Sequence, residues 1–223
     1  MAWLLQALLS PGMTFLDVGA HIGEFTLIAA KMVGEQGKVI AVEPLPPCVR
    51  AIRDNAALNG MRQVEVHEGA ISERSGKIGL VSDPQRSSGW IASSADKVDF
   101  EAQCWSLDDF LPHAGAKMVH VAKLDASGNE LAALQGGVMH LRSGAVRTLA
   151  MKLYNPGVVQ DRFGYDFHQS LELLQQWGYQ LKLIVGNNAF PVVRPEDVDS
   201  HFDPLVYCHV LVAQKTNADS FNP

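Results

Sequence analysis

Asp17, Gly19 and Gly23 fall within Phe-Leu-Asp-Val-Gly-Ala-His-Ile-Gly, residues 15–23, and their types and spacing suit the binding of a nucleotide-like ligand. Glycine lets a backbone come close to a ligand, and free N–H groups at the start of a following helix offer donors. The spacing is not that of the dinucleotide fingerprint Gly-x-Gly-x-x-Gly. Here an acid stands two residues before the first glycine, and the second glycine comes four residues later. A carboxylate at that place accepts from a cation or an amino group better than it faces a pyrophosphate. Glu43, twenty residues beyond Gly23, ends a second apolar run, Lys-Val-Ile-Ala-Val-Glu. In doubly wound sheets an acid there accepts from the ribose hydroxyls of an adenosine ligand, and its two oxygens can serve both hydroxyls at once.

S-adenosylmethionine meets these demands together: it carries an adenosine, an ammonium and a sulfonium, and no phosphate. The residues lean toward that cofactor and away from a nicotinamide dinucleotide, for which the third glycine is missing. The expected cofactor contacts are Asp17, Gly19, Ala20, His21 and Gly23 in the turn, then Glu43 with Pro44. Gly69 and Ala70 would border the adenine, and Asp125 ends a further buried run. His21, Asp125 and Lys152 are the candidates for catalysis. Histidine exchanges a proton near neutral pH, so His21 reads as a base; it also reads as a loop residue whose backbone does the work. Asp125 reads as a ligand-facing acid and as the cap of the helix after it. Lys152 and Tyr154 read as substrate contacts. No His, Cys, Asp or Glu cluster has metal-ligand spacing, so no metal is expected.

These residues need strands and helices to place them, and apolar runs alternate with helical patterns along most of the chain, the signature of an α/β sheet. Strands are expected at Thr14–Leu16, Lys38–Glu43, Gln63–Glu68, Val119–Leu124 and Val146–Leu153, with Tyr179–Val185 and Leu205–Ala213 as an antiparallel pair at the sheet edge. Helices are expected over Glu24–Val33, from Pro46 through Asn59 with Gly60 just beyond, over Asn129–Leu141, and over Tyr165–Trp177. Met1–Leu9 reads as a helix capping the sheet; it lacks the basic start and cleavage site of a signal peptide. Residues 76–104 break the alternation and read as an inserted hairpin or flap near the site. Trp90, at its centre, reads as a substrate platform or as packing for the hairpin's own strands. Ser106 is a good helix cap. The loop at 155–164 is expected to shape the substrate side. Residues 1–215 read as one domain, and 216–223 as a polar tail.

The chain has 223 residues, 47% of them apolar, and a formal charge of −6. That length and composition suit a single two-sided core. No apolar run reaches the ~18–20 residues of a membrane span. A negative body disfavours non-specific nucleic-acid binding, so no nucleic-acid partner is expected. Cys48, Cys104 and Cys208 are far apart, which argues against a disulfide framework and a structural zinc site and fits a cytoplasmic protein.

Several segments taken together resemble the FkbM-type methyltransferases. They are Asp17-Val18-Gly19-Ala20-His21-Ile22-Gly23, Ala41-Val42-Glu43-Pro44, Asn55 with Leu58-Asn59-Gly60, Gly69-Ala70-Ile71-Ser72, Leu107-Asp108-Asp109-Phe110-Leu111, Lys123-Leu124-Asp125 with Gly128, Glu130 and Leu131, and Trp177-Gly178-Tyr179. The resemblance covers roughly residues 11–185. It implies a Rossmann-like class I methyltransferase fold, with a seven-stranded, mostly parallel sheet and helices on both faces. It implies S-adenosylmethionine as cofactor and methyl transfer, usually to oxygen on a sugar, lipid or small natural product. Two positions depart from the family pattern. Ser127 stands where the family has an acid in Asp-x-Glu-Gly, and Lys152 where it often has a glutamate. The change makes the substrate side more positive by about three charges. Two expectations follow: an O-methyltransferase for a small molecule or glycan with an unusual acceptor, or a cofactor-binding partner protein with weakened catalysis.

Overall fold

The computed structural model describes residues 1–83, 88–92, 97–154, 160, 164–186, 188–201 and 208–216. The tip of the expected flap, most of the loop at 155–164, residues 205–207 of the last expected strand and the tail 217–223 lie outside the described residues.

The chain opens with α1 (Ala2–Leu8), then β1 (Thr14–Val18), α2 (Glu24–Val33), β2 (Lys38–Glu43), α3 (Pro46–Leu58) and β3 (Val64–Glu68). A short β4 (Ala70–Ser72) precedes β5 (Gly76–Asp83), β6 (Ser88–Ile91) and β7 (Phe100–Ser106). Then come α4 (Leu107–His113), β8 (Val119–Leu124), α5 (Glu130–Gln135), α6 (Val138–Ser143) and β9 (Val146–Tyr154). The last described elements are α7 (His168–Gln176), β10 (Tyr179–Val185), β11 (Asn188–Val192), a 3-10 helix (Pro195–His201) and β12 (Cys208–Lys215).

The main sheet runs β11-β10-β12-β9-β8-β1-β2-β3. β1, β2, β3, β8 and β9 are parallel neighbours, and β12 lies antiparallel between β9 and β10. Alternation along the central strands splits the core in two. Phe15, Val39 and Val121 face Leu5 of α1 and Ala29, Ala30 and Val33 of α2. Leu16, Val18, Ile40, Val42, Ala122 and Leu124 face the other way, onto Phe110 and Leu111 of α4, Leu134 of α5, Leu141 of α6 and Leu171 and Leu174 of α7. The sheet is thus covered on both sides, as a parallel sheet requires.

The structure corrects four expectations. Among the described residues the main sheet has eight strands, not seven. The eighth, β11, pairs antiparallel with β10 from Val185↔Asn188 onward; the intervening Gly186-Asn187 is a two-residue hairpin signal. Second, the inserted segment forms a sheet rather than a lone hairpin: β4-β7-β5-β6, with β4 and β7 parallel. Third, the single helix expected over Asn129–Leu141 is two, α5 and α6, broken at Gly136-Gly137. A Cβ on Gly136 would stand 2.1 Å from the Ser72 carbonyl oxygen, so only glycine fits where the chain passes β4. The broken end is recapped from elsewhere: Asp108 accepts from the N–H groups of Met139 (2.9 Å) and His140 (3.0 Å). Fourth, α7 begins at His168 rather than Tyr165, whose hydroxyl instead donates to the Gly128 carbonyl at 2.9 Å. Ser106 caps α4 as expected, accepting from Asp109 N–H at 3.1 Å.

Candidate active site

Strands β1, β2, β8 and β9 end at the same edge of the sheet, where ligands bind in open α/β folds. A cavity of about 400 Å³ opens there. The turn after β1 supplies Gly19, Ala20 and His21, followed by Glu24 and Phe25 of α2. Glu43 and Pro44 come from the end of β2, and Gly69, Ala70 and Ile71 from the start of β4. The second sheet adds Leu80, Gly89, Trp90 and Ile91, and the opposite end holds Lys123, Asp125, Ser127, Lys152 and Tyr154. Trp90, weighed from sequence between site and packing, therefore lines the cavity.

The turn is rigidly held. Gly19 has φ 72°, and a Cβ there would meet the Asp125 carbonyl oxygen at 1.9 Å, so only glycine fits. The N–H groups of Gly19 and Ala20 both donate to the Val42 carbonyl, at 3.0 and 3.1 Å. The His21 N–H donates to Glu43 Oε2 at 2.8 Å, and that of Gly23 to the Ala20 carbonyl at 2.9 Å. His21 reaches this bond with φ 54°, a left-handed conformation unusual for a non-glycine residue. These four donors are therefore spent inside the protein. A site for pyrophosphate would aim them at the ligand.

Glu43 is buried. Its Oε1 accepts from Leu45 N–H at 3.0 Å and its Oε2 from His21 N–H. Burial pushes its carboxyl up, and the two backbone bonds pull the other way. Each carboxylate oxygen keeps a further lone pair for a ligand hydroxyl.

Asp17, expected from sequence as a ligand contact, is not among the residues that line the cavity. It is fully buried, accepting from Thr26 Oγ1 of α2 at 2.7 Å and from Lys123 Nζ of β8 at 3.0 Å. Gly23 also stands back from the cavity, as the N-cap residue of α2. Lys123 is the residue that sequence reasoning missed. Its signal was a charge inside the apolar run Val-His-Val-Ala-Lys-Leu, since a buried charge demands a partner. Asp17 and Lys123 stand at the same register on adjacent strands.

Asp125 shares its carboxylate between two donors. Tyr154 Oη donates to Oδ1 at 2.7 Å, and Lys152 Nζ lies 3.2 Å from Oδ2. The charge gained at Lys152 is thus answered within the site rather than offered bare to a substrate. Burial, then the charge of Asp125, push the Tyr154 hydroxyl above its ordinary range, so it stays a donor. Ser127, beside them, has φ 54°. Behind this loop Glu130 is buried, accepting from the N–H groups of Ala126 (2.8 Å) and Gly128 (3.2 Å). Burial pushes its carboxyl up to about 7, with backbone bonds opposing and the charge of Asp125 adding to the rise. Among the described residues no group of His, Cys, Asp and Glu could hold a metal ion. No helix among them is long and apolar enough to cross a membrane.

A glycine turn, a buried acid on the second strand and a cavity over the switch point of a doubly wound sheet define a Rossmann-like, class I methyltransferase domain. Residues 17–181 match the Methyltransferase FkbM domain, and the chain belongs to that family. A 75-residue stretch is 43% identical to a probable cobalt-precorrin-6B C(15)-methyltransferase (decarboxylating) of Sulfolobus acidocaldarius, covering 34% of this chain and 39% of that relative. Among solved structures, a methyltransferase FkbM from Methylobacillus flagellatus superposes with TM-score 0.56 at 14% identity, over 96% of this chain and 50% of that one. Aeropyrum pernix fibrillarin with bound S-adenosyl-L-methionine gives TM-score 0.52 at 14% identity, over 95% of this chain and 72% of that one. The chain spans half or less of the length of the first two of these proteins. At such identities the structural likeness is one of fold.

S-adenosylmethionine is the cofactor of this family, and the residues fit it. Glu43 offers acceptors for ribose hydroxyls, and the N–H groups of Gly19, Ala20, His21 and Gly23 are held within the protein rather than aimed at a phosphate.

Proposed function

We propose that this protein transfers a methyl group from S-adenosylmethionine to a hydroxyl oxygen of a small molecule or glycan. The observation that carries the reading is Glu43, buried at the end of β2 with an oxygen fixed by the N–H of the glycine turn and its remaining lone pairs on the cavity. When bound, the cofactor supplies an electrophilic methyl group on a sulfonium centre. This chain's residues bind and aim. Glu43 and Pro44 hold the sugar, Gly69 and Ala70 border the base, and Leu80, Trp90 and Ile91 close one wall against water. Orientation of this kind supplies several kcal/mol of a barrier. His21, exposed at the cavity, is the proposed base: a ring nitrogen takes the acceptor's proton. Asp125, steadied by Lys152 and Tyr154, is the proposed contact for the acceptor. A protein that works in the cytoplasm without nucleic acid or membrane completes the proposal.

The engagement of both Asp125 oxygens by Lys152 and Tyr154 favours a second reading, a cofactor-binding partner protein with weakened catalysis. Titration calorimetry with S-adenosylmethionine, S-adenosylhomocysteine and NAD in parallel tests the first. Micromolar binding of both adenosyl ligands without NAD is expected. Folded protein that binds neither would overturn it, and binding without turnover on any acceptor would move the assignment to the second reading.

A further inference from the structure

Lys123 has a position that the binding of a cationic cofactor does not by itself explain. Lys123 lines the cavity yet its side chain is only 3% exposed. It donates to Asp17 Oδ1 at 3.0 Å, to the Gly19 carbonyl at 2.9 Å and to the Val18 carbonyl at 3.3 Å. Those bonds match the donor capacity of an ammonium. One acid and two consecutive carbonyls are thereby drawn from β1 and its turn onto β8. The backbone of β8 grips the same point from beyond its end: Asp125 N–H donates to the Val18 carbonyl at 3.2 Å, and the Asp125 carbonyl occupies the space where a Gly19 side chain would be.

We infer that Lys123 is a positioning residue for cofactor binding, which fixes the Gly19 turn relative to Glu43 and Asp125 through its buried bond to Asp17 and its two carbonyl bonds. The inference rests on the proposed cofactor reading. Asp17 holds the lysine and is in turn oriented by Thr26, so the carboxylate is a counter-charge for Lys123 rather than a contact for the ligand. The geometry also links the two halves of the site. One strand end sets the cofactor turn through Lys123 and carries the Asp125 carboxylate two residues later. A displaced turn would change the angle at which His21 N–H meets Glu43, and with it the lone pairs left to the ligand.

A merely structural pair makes a different prediction. Removing one member of a buried ion pair leaves an uncompensated charge and destabilises strongly, whereas replacing both by neutral groups is often tolerated. The test measures melting without ligand and the Kd for S-adenosylhomocysteine, in wild type, Lys123→Met and the Asp17→Asn/Lys123→Met double variant. The single variant is expected to melt lower than wild type. The double variant should recover melting, because no buried charge is left alone. Its affinity should stay roughly tenfold or more below wild type, since the turn has lost its carbonyl clamps. If the double variant regains both melting and affinity, Lys123 is a stability element and the inference fails. It fails equally if Lys123→Met, measured well below its melting point, binds like wild type, or if the double variant does not fold. Wild-type protein that binds no S-adenosylhomocysteine would instead remove the cofactor reading itself.

Discussion

The glycine turn and its acid show how much a single side chain can decide. Gly19 combines φ 72° with the Asp125 carbonyl at 1.9 Å from any added Cβ. Gly19→Ala is therefore expected to lower melting and to abolish measurable binding of S-adenosylhomocysteine, because the strain and the clash both fall on the turn. Wild-type affinity in that variant would make the turn a mere connector. Glu43→Ala is expected to cost about 1–3 kcal/mol of cofactor binding, the range for loss of a charged hydrogen-bond partner. An unchanged Kd would remove Glu43 from the site. Both residues were legible from sequence, since an acid at a strand end and a glycine just past one are local patterns. The partner of Asp17 was not. Asp17 and Lys123 lie 106 residues apart, and only their shared register on adjacent strands brings them together. An acid beside a glycine turn looks the same in a sequence whether it faces a ligand's cation or one of the protein's own.

At the scale of elements, the loop between β8 and α5 is tied down by the buried Glu130 carboxyl. Glu130 holds it by accepting from Ala126 and Gly128, and its carboxyl is raised from the ordinary 4.5 to about 7. The folded protein therefore keeps a proton that the unfolded chain loses as pH rises above 4.5. Glu130's own contribution to stability is fullest below 4.5 and is lost as pH rises toward 7, by about 1.4 kcal/mol for each unit separating the two values. Glu130→Gln keeps an oxygen for both N–H groups and removes the charge. Its melting temperature should exceed that of wild type at pH 8, with the gap closing toward pH 5. Parallel melting curves across that range would show that Glu130 does not titrate there. Elements were read well where their cues are local, as with β8 at Val119–Leu124, the proline start of α3 and the Ser106 cap of α4. The helix over Asn129–Leu141 was misread because its apolar periodicity continues across Gly136-Gly137, where the helix breaks.

For the whole molecule, the sequence by itself determined the α/β class, the order of the alternating elements and the ends of the strands that carry Gly19, Glu43 and Asp125. These follow from the period of apolar residues and from glycine and proline punctuation, which act over a few residues. The family resemblance added the fold and the cofactor, and residues 17–181 match that family. Tertiary structure alone decided that β12 inserts between β9 and β10, that the second sheet, in which β6 pairs with β5, brings Trp90 to the cavity, and that Lys152 and Tyr154 converge on Asp125. It also decided that Asp17 belongs to Lys123. Each of these is a meeting of segments distant in the chain. Sheet register and close packing set them, and the types of neighbouring residues carry little record of either.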